Sequence, residues 1–170
     1  MQGCSYNQKY EGVGRHVGVD TDPKSTMART GITTFKICVV GDTQTGKSTW
    51  IRLLQSLPAY SAYNPTAGVE VTGIEVTTDY GLCHVRLWDC SGNPNFQGLG
   101  DGYHVGSDAF IVFGDAPFSA PPHASEKKRK KGWKTGVVRV SPFFWEEGGD
   151  VWAPLFDAIG TIYTSYASSK

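Results

Sequence analysis

The stretch "GDTQTGKS", residues 41–48, holds the residue types that bind phosphate groups. It fits the pattern of a glycine, four residues of any type, and then glycine, lysine and serine or threonine. The two glycines let the backbone curl so that successive N–H groups point at phosphate oxygens. The lysine adds a positive charge, and the serine offers a hydroxyl to Mg²⁺. We therefore predict a nucleotide-binding loop made of Gly41, Asp42, Thr43, Gln44, Thr45, Gly46, Lys47, Ser48 and Thr49.

A second segment carries residues that would complete such a site. The apolar run "VRLWDCSG" ends in Asp89, which could hold Mg²⁺ through a water molecule. Gly92 follows three residues later, and its backbone N–H could approach a γ-phosphate without a side-chain clash. The hydroxyl of Thr66 in "NPTAG" is a further candidate. We expect Ser48, Thr66 and Asp89 to form the Mg²⁺ site.

The elements on either side of the loop suit this chemistry. "TFKICVV" is a short apolar run, typical of a buried strand in a parallel sheet. "KSTWIRLLQSL" then predicts a helix that Pro58 ends. Its apolar stripe comprises Trp50, Ile51, Leu53, Leu54 and Leu57. Strand, glycine-containing loop and helix follow one another in the order that a phosphate site needs.

The remaining pattern predicts an α/β domain. "VEVTGIEVTT" and "LCHVRLWDC", joined by "DYG", indicate a hairpin, and "AFIVFGDA" and "VVRV" indicate further strands. Asp150 should cap a last helix, with Pro154 in its first turn. One face of that helix carries Trp152, Leu155, Phe156, Ile159 and Tyr163. We predict a mostly parallel sheet of five or six strands with flanking helices.

Two segments lack apolar periodicity. We expect residues 1–32 to form a disordered tail and residues 33–166 to form the domain. Residues 117–136 hold the basic run 127–131, which we interpret as a solvated surface loop. A nuclear-import peptide or a contact to a polyanion is the alternative.

Composition excludes several classes of partner. Basic and acidic residues number 16 each, so bulk charge favours neither direct nucleic-acid binding nor an acidic membrane. No apolar run is long enough to span a bilayer, and neither a myristoylation glycine nor a prenylation cysteine is in place. Cys38, Cys83 and Cys90 lie in strand-like runs, where we expect buried free thiols.

The segments "NPTAGVEV" and "VRLWDCSGNPNFQGLGDGYHVGSDAFIVFGDA" resemble the switch regions of Ran-like small GTPases in the Ras superfamily. The resemblance covers residues 34–116 well and 137–163 loosely. It implies a P-loop NTPase fold of the small GTPase type, reduced in its C-terminal half, that binds GTP or GDP with Mg²⁺. It makes Thr66 the switch-one ligand and places Asp89 and Gly92 in the switch-two DxxG element.

The same resemblance implies partners and a location. The partners would be a guanine nucleotide and importin- or exportin-type transport receptors or Ran regulators. We expect a monomer, found in the nucleus and the cytoplasm, with no membrane contact.

Three departures from the family pattern weaken the expected catalysis and base recognition. Asn93 replaces the water-positioning glutamine, and Thr43 replaces a glycine of the loop. No NKxD motif reads the base, and only about 20 residues separate "FGDA" from "VVRV", where helix, strand and NKxD loop would lie. "VVRVSPFF" stands where the family has its last strand and SAK loop, with Ser141 matched.

Three functions remain compatible with these residues. The first is a switch that binds GTP with Mg²⁺ and hydrolyses it slowly, with Lys47 and, less favourably, Asn93 as catalytic residues. The second is a non-catalytic Ran mimic that docks transport factors. A P-loop kinase or ATPase is the third, but no arginine-rich lid is recognisable.

Overall fold

The computed structural model of the chain describes residues 33–79, 81–96, 98–114 and 135–168. This part contains five strands and two α-helices: β1 (Thr33–Gly41), α1 (Lys47–Leu54), β2 (Val69–Thr78), β3 (Gly81–Cys90), β4 (Ala109–Phe113), β5 (Gly136–Val140) and α2 (Ala153–Ser168). Short 3₁₀ helices cover Pro94–Phe96, Gly100–His104 and Phe144–Glu147. The predicted tail, residues 1–32, and the basic run 127–131 lie outside the described residues.

The strands form one sheet in the order β2-β3-β1-β4-β5. β1 pairs in parallel with β3 and β4, and β4 pairs in parallel with β5. Only the β2–β3 hairpin is antiparallel within the described sheet, and its last pair is Thr78 with Gly81. The predicted hairpin is confirmed, and the mostly parallel sheet, predicted with five or six strands, has five in the described residues. β5 begins at Gly136, which was predicted as the last residue of the preceding loop, and positions 117–134 of that predicted loop lie outside the described residues.

Burial on both faces explains why the central strands are almost continuously apolar. All five residues of β4 are buried. Alternate residues of β1 and β4 point to opposite faces, as in any strand. Ile37 and Ile111 belong to the larger core, which α1 and α2 cover, whereas Cys38 and Phe110 belong to a smaller core on the other face. Cys38, Cys83 and Cys90 are buried free thiols, as predicted.

Helix α1 is shorter than the apolar stripe predicted. It ends at Leu54, and Leu57 lies beyond it with 42% of its surface exposed. Ser56 adopts a left-handed backbone with φ 59°. The Leu57 N–H donates to the Arg52 carbonyl at 2.9 Å, and the Ser56 N–H donates to the Leu53 carbonyl at 2.9 Å. These two bonds form a Schellman motif, which stops the helix before Pro58 is reached.

Helix α2 packs against β4 and β5. The Asp150 carboxylate accepts a hydrogen bond from the Trp152 N–H at 3.0 Å, so Asp150 does begin this turn, although the α-helix itself starts at Ala153. Leu155 and Ile159 are buried in the core, as predicted. None of the helices in the described ranges is both long and apolar enough to cross a membrane.

Candidate functional site

The loop between β1 and α1 has the backbone geometry of a phosphate-binding turn. Gly41 has φ 138° and Gly46 has φ 88°, which are conformations that L side chains rarely adopt. A Cβ atom at Gly41 would overlap the Phe113 carbonyl oxygen. Immediately after Gly46, α1 begins, and the Trp50 N–H donates to the Gly46 carbonyl at 2.8 Å. The free N–H groups of the first helical turn therefore face the loop.

Lys47 is held inside this loop by backbone oxygens. Its Nζ atom donates to the Asp42 carbonyl at 2.5 Å and to the Gly41 carbonyl at 3.0 Å. Thr45, which is also buried, donates its hydroxyl to the same Asp42 carbonyl at 2.9 Å. Burial lowers the pKa of the Lys47 ammonium, and the negative charge of Asp89 opposes that shift. The Lys47 ammonium is thus held in place by two backbone carbonyls, and the negative charge of Asp89 offsets the effect of its burial only in part.

Three oxygen-bearing side chains from distant parts of the chain meet beside the loop. Ser48 donates its hydroxyl to Asp89 Oδ2 at 2.5 Å. Thr66 lies 3.1 Å from the Ser48 hydroxyl and 3.4 Å from the same carboxylate oxygen. The helix start, the loop before β2 and the end of β3 therefore bring together the three residues predicted for Mg²⁺.

The chemistry of this group fits a magnesium ion. Asp89 is almost fully buried, and within the described residues its Oδ1 atom has no hydrogen-bond partner. Burial raises the pKa of the Asp89 carboxyl to about 6, against the opposing hydrogen bond from Ser48. A buried carboxylate with a free oxygen, beside two hydroxyls, suits a cation that prefers oxygen ligands. No cluster of three or more His, Cys, Asp or Glu side chains exists in the described part, so phosphate and water oxygens would have to complete the shell.

Gly92 packs directly against the phosphate-binding loop. A Cβ atom at this position would lie 2.5 Å from the Gly41 carbonyl oxygen and 2.5 Å from the Asp42 carbonyl carbon. Atoms that are not covalently bonded do not approach each other this closely, so only glycine fits at position 92. The segment after β3 therefore touches the loop through its backbone, where the sequence predicted a γ-phosphate contact.

Asn93 is turned toward its own chain segment. Its Oδ1 atom accepts a hydrogen bond from the Asn95 N–H at 3.0 Å, and its carbonyl accepts one from Phe96 at 2.9 Å. The side chain thus caps the 3₁₀ helix Pro94–Phe96. Asn93 is not among the residues that line the pocket described below. Its predicted catalytic role therefore gains no support from its position.

The two loops next to Thr66 and Asp89 are hydrogen-bonded to each other. The Ser91 N–H donates to the Gly68 carbonyl at 2.9 Å, and the Gly68 N–H donates to the Phe96 carbonyl at 2.6 Å. A Cβ atom at Gly68 would lie 3.0 Å from the Tyr103 hydroxyl oxygen, so this contact also requires a small residue. A movement of the loop that carries Thr66 would therefore also displace the segment after β3.

A pocket of about 460 Å³ opens above these residues. Eight of the predicted residues line this pocket: Thr43, Gln44, Gly46, Lys47, Ser48, Thr49, Thr66 and Gly92. Gly41, Asp42, Thr45 and Asp89 lie behind this lining and shape it through the contacts given above. The residues predicted to bind phosphate and Mg²⁺ therefore line this pocket or contact its lining.

The aromatic part of the pocket was not predicted. Tyr60, Tyr63 and Phe143 also line it, and each is at least partly exposed. Tyr60 and Tyr63 belong to the turn-rich stretch "AYSAYNPTAG", and Phe143 belongs to "SPFFW" after β5. Exposed aromatic residues in loops that flank a predicted site were the available signal.

Comparison with known protein families agrees with this geometry. Residues 36–142 match the model of the Roc family, described as Ras of Complex, Roc, domain of DAPkinase. The match covers more than half of the chain and runs from β1 through β5. The mixed sheet, the two helices and the phosphate-binding loop form a reduced α/β P-loop fold of the GTPase type. The chain therefore belongs to the Roc family of Ras-type, GTP-binding GTPase domains.

Proposed function

We propose that the protein is a nucleotide-dependent switch that binds GTP together with Mg²⁺ and hydrolyses it slowly. The observation that carries this proposal is the meeting of Ser48, Thr66 and Asp89 within 2.5–3.4 Å of one another, next to Lys47. These residues come from three separate segments and none of them belongs to the apolar core clusters, and yet their oxygens converge. A bound phosphate chain and its cation would explain it.

The residues of the loop divide the work of holding the phosphates. The N–H groups at the start of α1 would donate to phosphate oxygens, assisted by the positive end of the helix dipole. Lys47 would exchange its bonds to the Gly41 and Asp42 carbonyls for the β- and γ-phosphates. Mg²⁺, held by Ser48, Thr66 and, through water, Asp89, would supply charge neutralisation at the phosphates.

Slow hydrolysis follows from two side chains. Asn93 uses its amide oxygen to cap a turn, so it does not orient a water molecule in the pocket. Thr43 lines the pocket, and its side chain would crowd the space that an activating group needs. Positioning of the nucleophile contributes much of the rate in this type of reaction, so its loss slows cleavage without preventing nucleotide binding.

The switch itself would act through the bonded loops. With the γ-phosphate present, Thr66 and Gly92 would be held against the nucleotide, and after hydrolysis these contacts would be lost. The Gly68–Ser91 hydrogen bond would transmit the change between the two loops. The resemblance to Ran supports partners of the importin or exportin type, and a place in nucleocytoplasmic transport in the nucleus and cytoplasm, as the finer part of this proposal.

Nucleotide binding is tested by calorimetry with GTP and Mg²⁺ on wild-type protein and on Lys47→Ala. We expect wild-type protein to bind GTP and the variant to lose at least about a hundredfold in affinity, because a charge-assisted phosphate contact is removed. Lys36→Ala is the matched control, since Lys36 contacts Val105 and Trp88 and is not among the pocket residues. Equal affinity of wild-type protein and Lys47→Ala would refute the proposal.

The second candidate is a non-catalytic module that docks transport factors and holds nucleotide as a structural element. The observation that favours it is the engaged side chain of Asn93, which leaves the pocket without the family's water-positioning group. Single-turnover release of phosphate from bound GTP separates the two. Release above the buffer rate supports the switch, and GTP binding without release supports the module.

A further inference from the structure

The pocket has a second end, which is aromatic. Phe143, Tyr60 and Tyr63 line it with exposed fractions of 37%, 41% and 55%, respectively. Large apolar rings of this size usually bury more of their surface, and a cluster of them beside a polar site indicates a ligand. The phosphate and metal residues account for the other end of the pocket, so the rings need a separate explanation.

Phe143 lies directly over the phosphate-binding loop. A Cβ atom at Gly46 would lie 3.1 Å from both Cδ1 and Cε1 of the Phe143 ring. Gly46 immediately precedes Lys47, so the ring borders the place where the phosphates would be bound. A stacked group would therefore be separated from the phosphates by only a short linker, as a base is by its ribose.

Other aromatic side chains hold the Phe143 ring in place. Trp145 meets it edge to face, with 5.6 Å between ring centroids and an interplanar angle of 68°. Trp145 in turn packs against Phe113 and Phe144, with centroid distances of 6.4 and 5.3 Å. The ring is therefore supported from one side by the core, while part of its surface faces the pocket.

The backbone of Phe143 adds a second indication. It has φ 53°, a left-handed conformation that is unfavourable for a bulky residue. Strain of this kind persists where the surrounding structure enforces it, and it is concentrated at ligand sites. Here the turn between β5 and the 3₁₀ helix Phe144–Glu147 directs the ring toward the loop.

We propose that Phe143 is a stacking platform for the nucleobase of the bound nucleotide. This inference rests on the proposed function and adds the contact that replaces a base-reading motif. The sequence has four asparagines, and none begins an NKxD motif. Stacking on an aromatic ring holds a base through its π-face, so it needs no such motif. Tyr60 borders the same end of the pocket, and the Arg52 guanidinium carbon lies 4.3 Å from the centroid of its ring.

The test compares a ligand that has a base with one that lacks it. Calorimetry is run with GTP and with inorganic tripolyphosphate, both with Mg²⁺. The proteins are wild type, Phe143→Ala, Phe143→Tyr and the control Leu82→Ala, which removes an exposed apolar side chain outside the pocket. We expect Phe143→Ala to lose about tenfold in GTP affinity and to keep its tripolyphosphate affinity. Phe143→Tyr should bind GTP like the wild type.

The outcomes separate this inference from the proposed function. If Phe143→Ala binds GTP as tightly as wild type while Lys47→Ala has lost it, the platform is refuted and nucleotide binding stands. If Phe143→Ala loses GTP and tripolyphosphate equally, the residue acts on the loop and the platform is again refuted. If wild-type protein binds tripolyphosphate but gains nothing from the base, the platform fails as well. If wild-type protein binds neither ligand, both proposals fail.

A second variant guards against misfolding. Phe143→Asn keeps a residue that tolerates the left-handed backbone, so the turn can form without the ring. It should show the same selective loss of GTP affinity as Phe143→Ala. Full binding of GTP by a folded Phe143→Asn protein would overturn the inference.

Discussion

Asn93 is one methylene group shorter than the glutamine found at this position in the family that the switch regions resemble. The shorter side chain reaches the Asn95 N–H of its own turn, at 3.0 Å, and the following Pro94 begins a 3₁₀ helix. An asparagine before such a turn is a good cap. At this position the amide contributes to local structure, and the pocket is lined by its neighbours Ser91 and Gly92 instead.

We predict that Asn93→Ala costs stability and not activity. Removing the cap should lower the free energy of unfolding by about 0.5–1 kcal/mol. Phosphate release from bound GTP should keep its wild-type rate, because the amide does not enter the pocket. Urea denaturation and single-turnover hydrolysis measure the two effects. Asn95→Ala is the control, since the Asn95 backbone N–H makes the bond and survives the substitution. A tenfold slower release in Asn93→Ala would show that the amide does position water.

At the scale of elements, periodicity and turn residues predicted the strand–loop–helix unit and the β2–β3 hairpin. The convergence of Ser48, Thr66 and Asp89 was also predictable, because each belongs to a segment with a known role in the motif. The aromatic end of the pocket was not predictable. Phe143 meets Gly46 across 97 positions of sequence, and no local pattern specifies such a contact.

The end of α1 was misjudged for a local reason. The apolar stripe continues to Leu57, but Ser56 turns left-handed and closes the helix with two backbone bonds. Serine is an uncommon residue at this position, where glycine is preferred, so no residue before Pro58 signalled the end of the helix. The left-handed backbone at Ser56 therefore costs the folded protein a small amount of free energy, which a glycine would not.

We predict that Ser56→Gly stabilises the protein by up to about 1 kcal/mol, because glycine adopts this backbone without steric cost. Gln55→Gly is the matched control. Gln55 has φ −81°, which any residue adopts, so glycine there only adds conformational entropy to the unfolded chain and should destabilise. Thermal unfolding of both variants without nucleotide measures the difference. Destabilisation by Ser56→Gly would contradict the assigned helix end.

In the described part of the chain, both helices pack on one face of the sheet, and Tyr103, from the segment after β3, packs on the other. Trp50 of α1 is fully buried, and its indole N–H donates to the Val151 carbonyl at 2.7 Å. This bond links the helix that carries Lys47 and Ser48 to the segment that leads into α2. The burial of Trp50 was predictable from its helical stripe, but its partner 101 residues away was not.

A second tryptophan provides a natural comparison on the opposite face. Trp88 lies under the Lys36 ammonium, 3.7 Å from the ring centroid. Its indole N–H is buried and has no hydrogen-bond partner in the part of the chain that the structure describes. The two tryptophans thus differ in whether the indole N–H, which phenylalanine lacks, has a hydrogen-bond partner.

We predict that Trp50→Phe destabilises the protein much more than Trp88→Phe does. The first change leaves the Val151 carbonyl without its partner and opens a cavity beside Phe113, which should cost about 2–4 kcal/mol. The second removes an unsatisfied N–H and weakens the contact with Lys36, so its net cost should be about 1 kcal/mol or less. Stability is measured by urea denaturation with circular dichroism as the signal, because removing a tryptophan changes the fluorescence of each variant. If the two variants lose equal stability, the Trp50–Val151 bond does not hold α1 to the rest of the domain. If the prediction holds, Trp50→Phe should also weaken GTP binding, because the helix start that presents Lys47 and Ser48 loses its attachment.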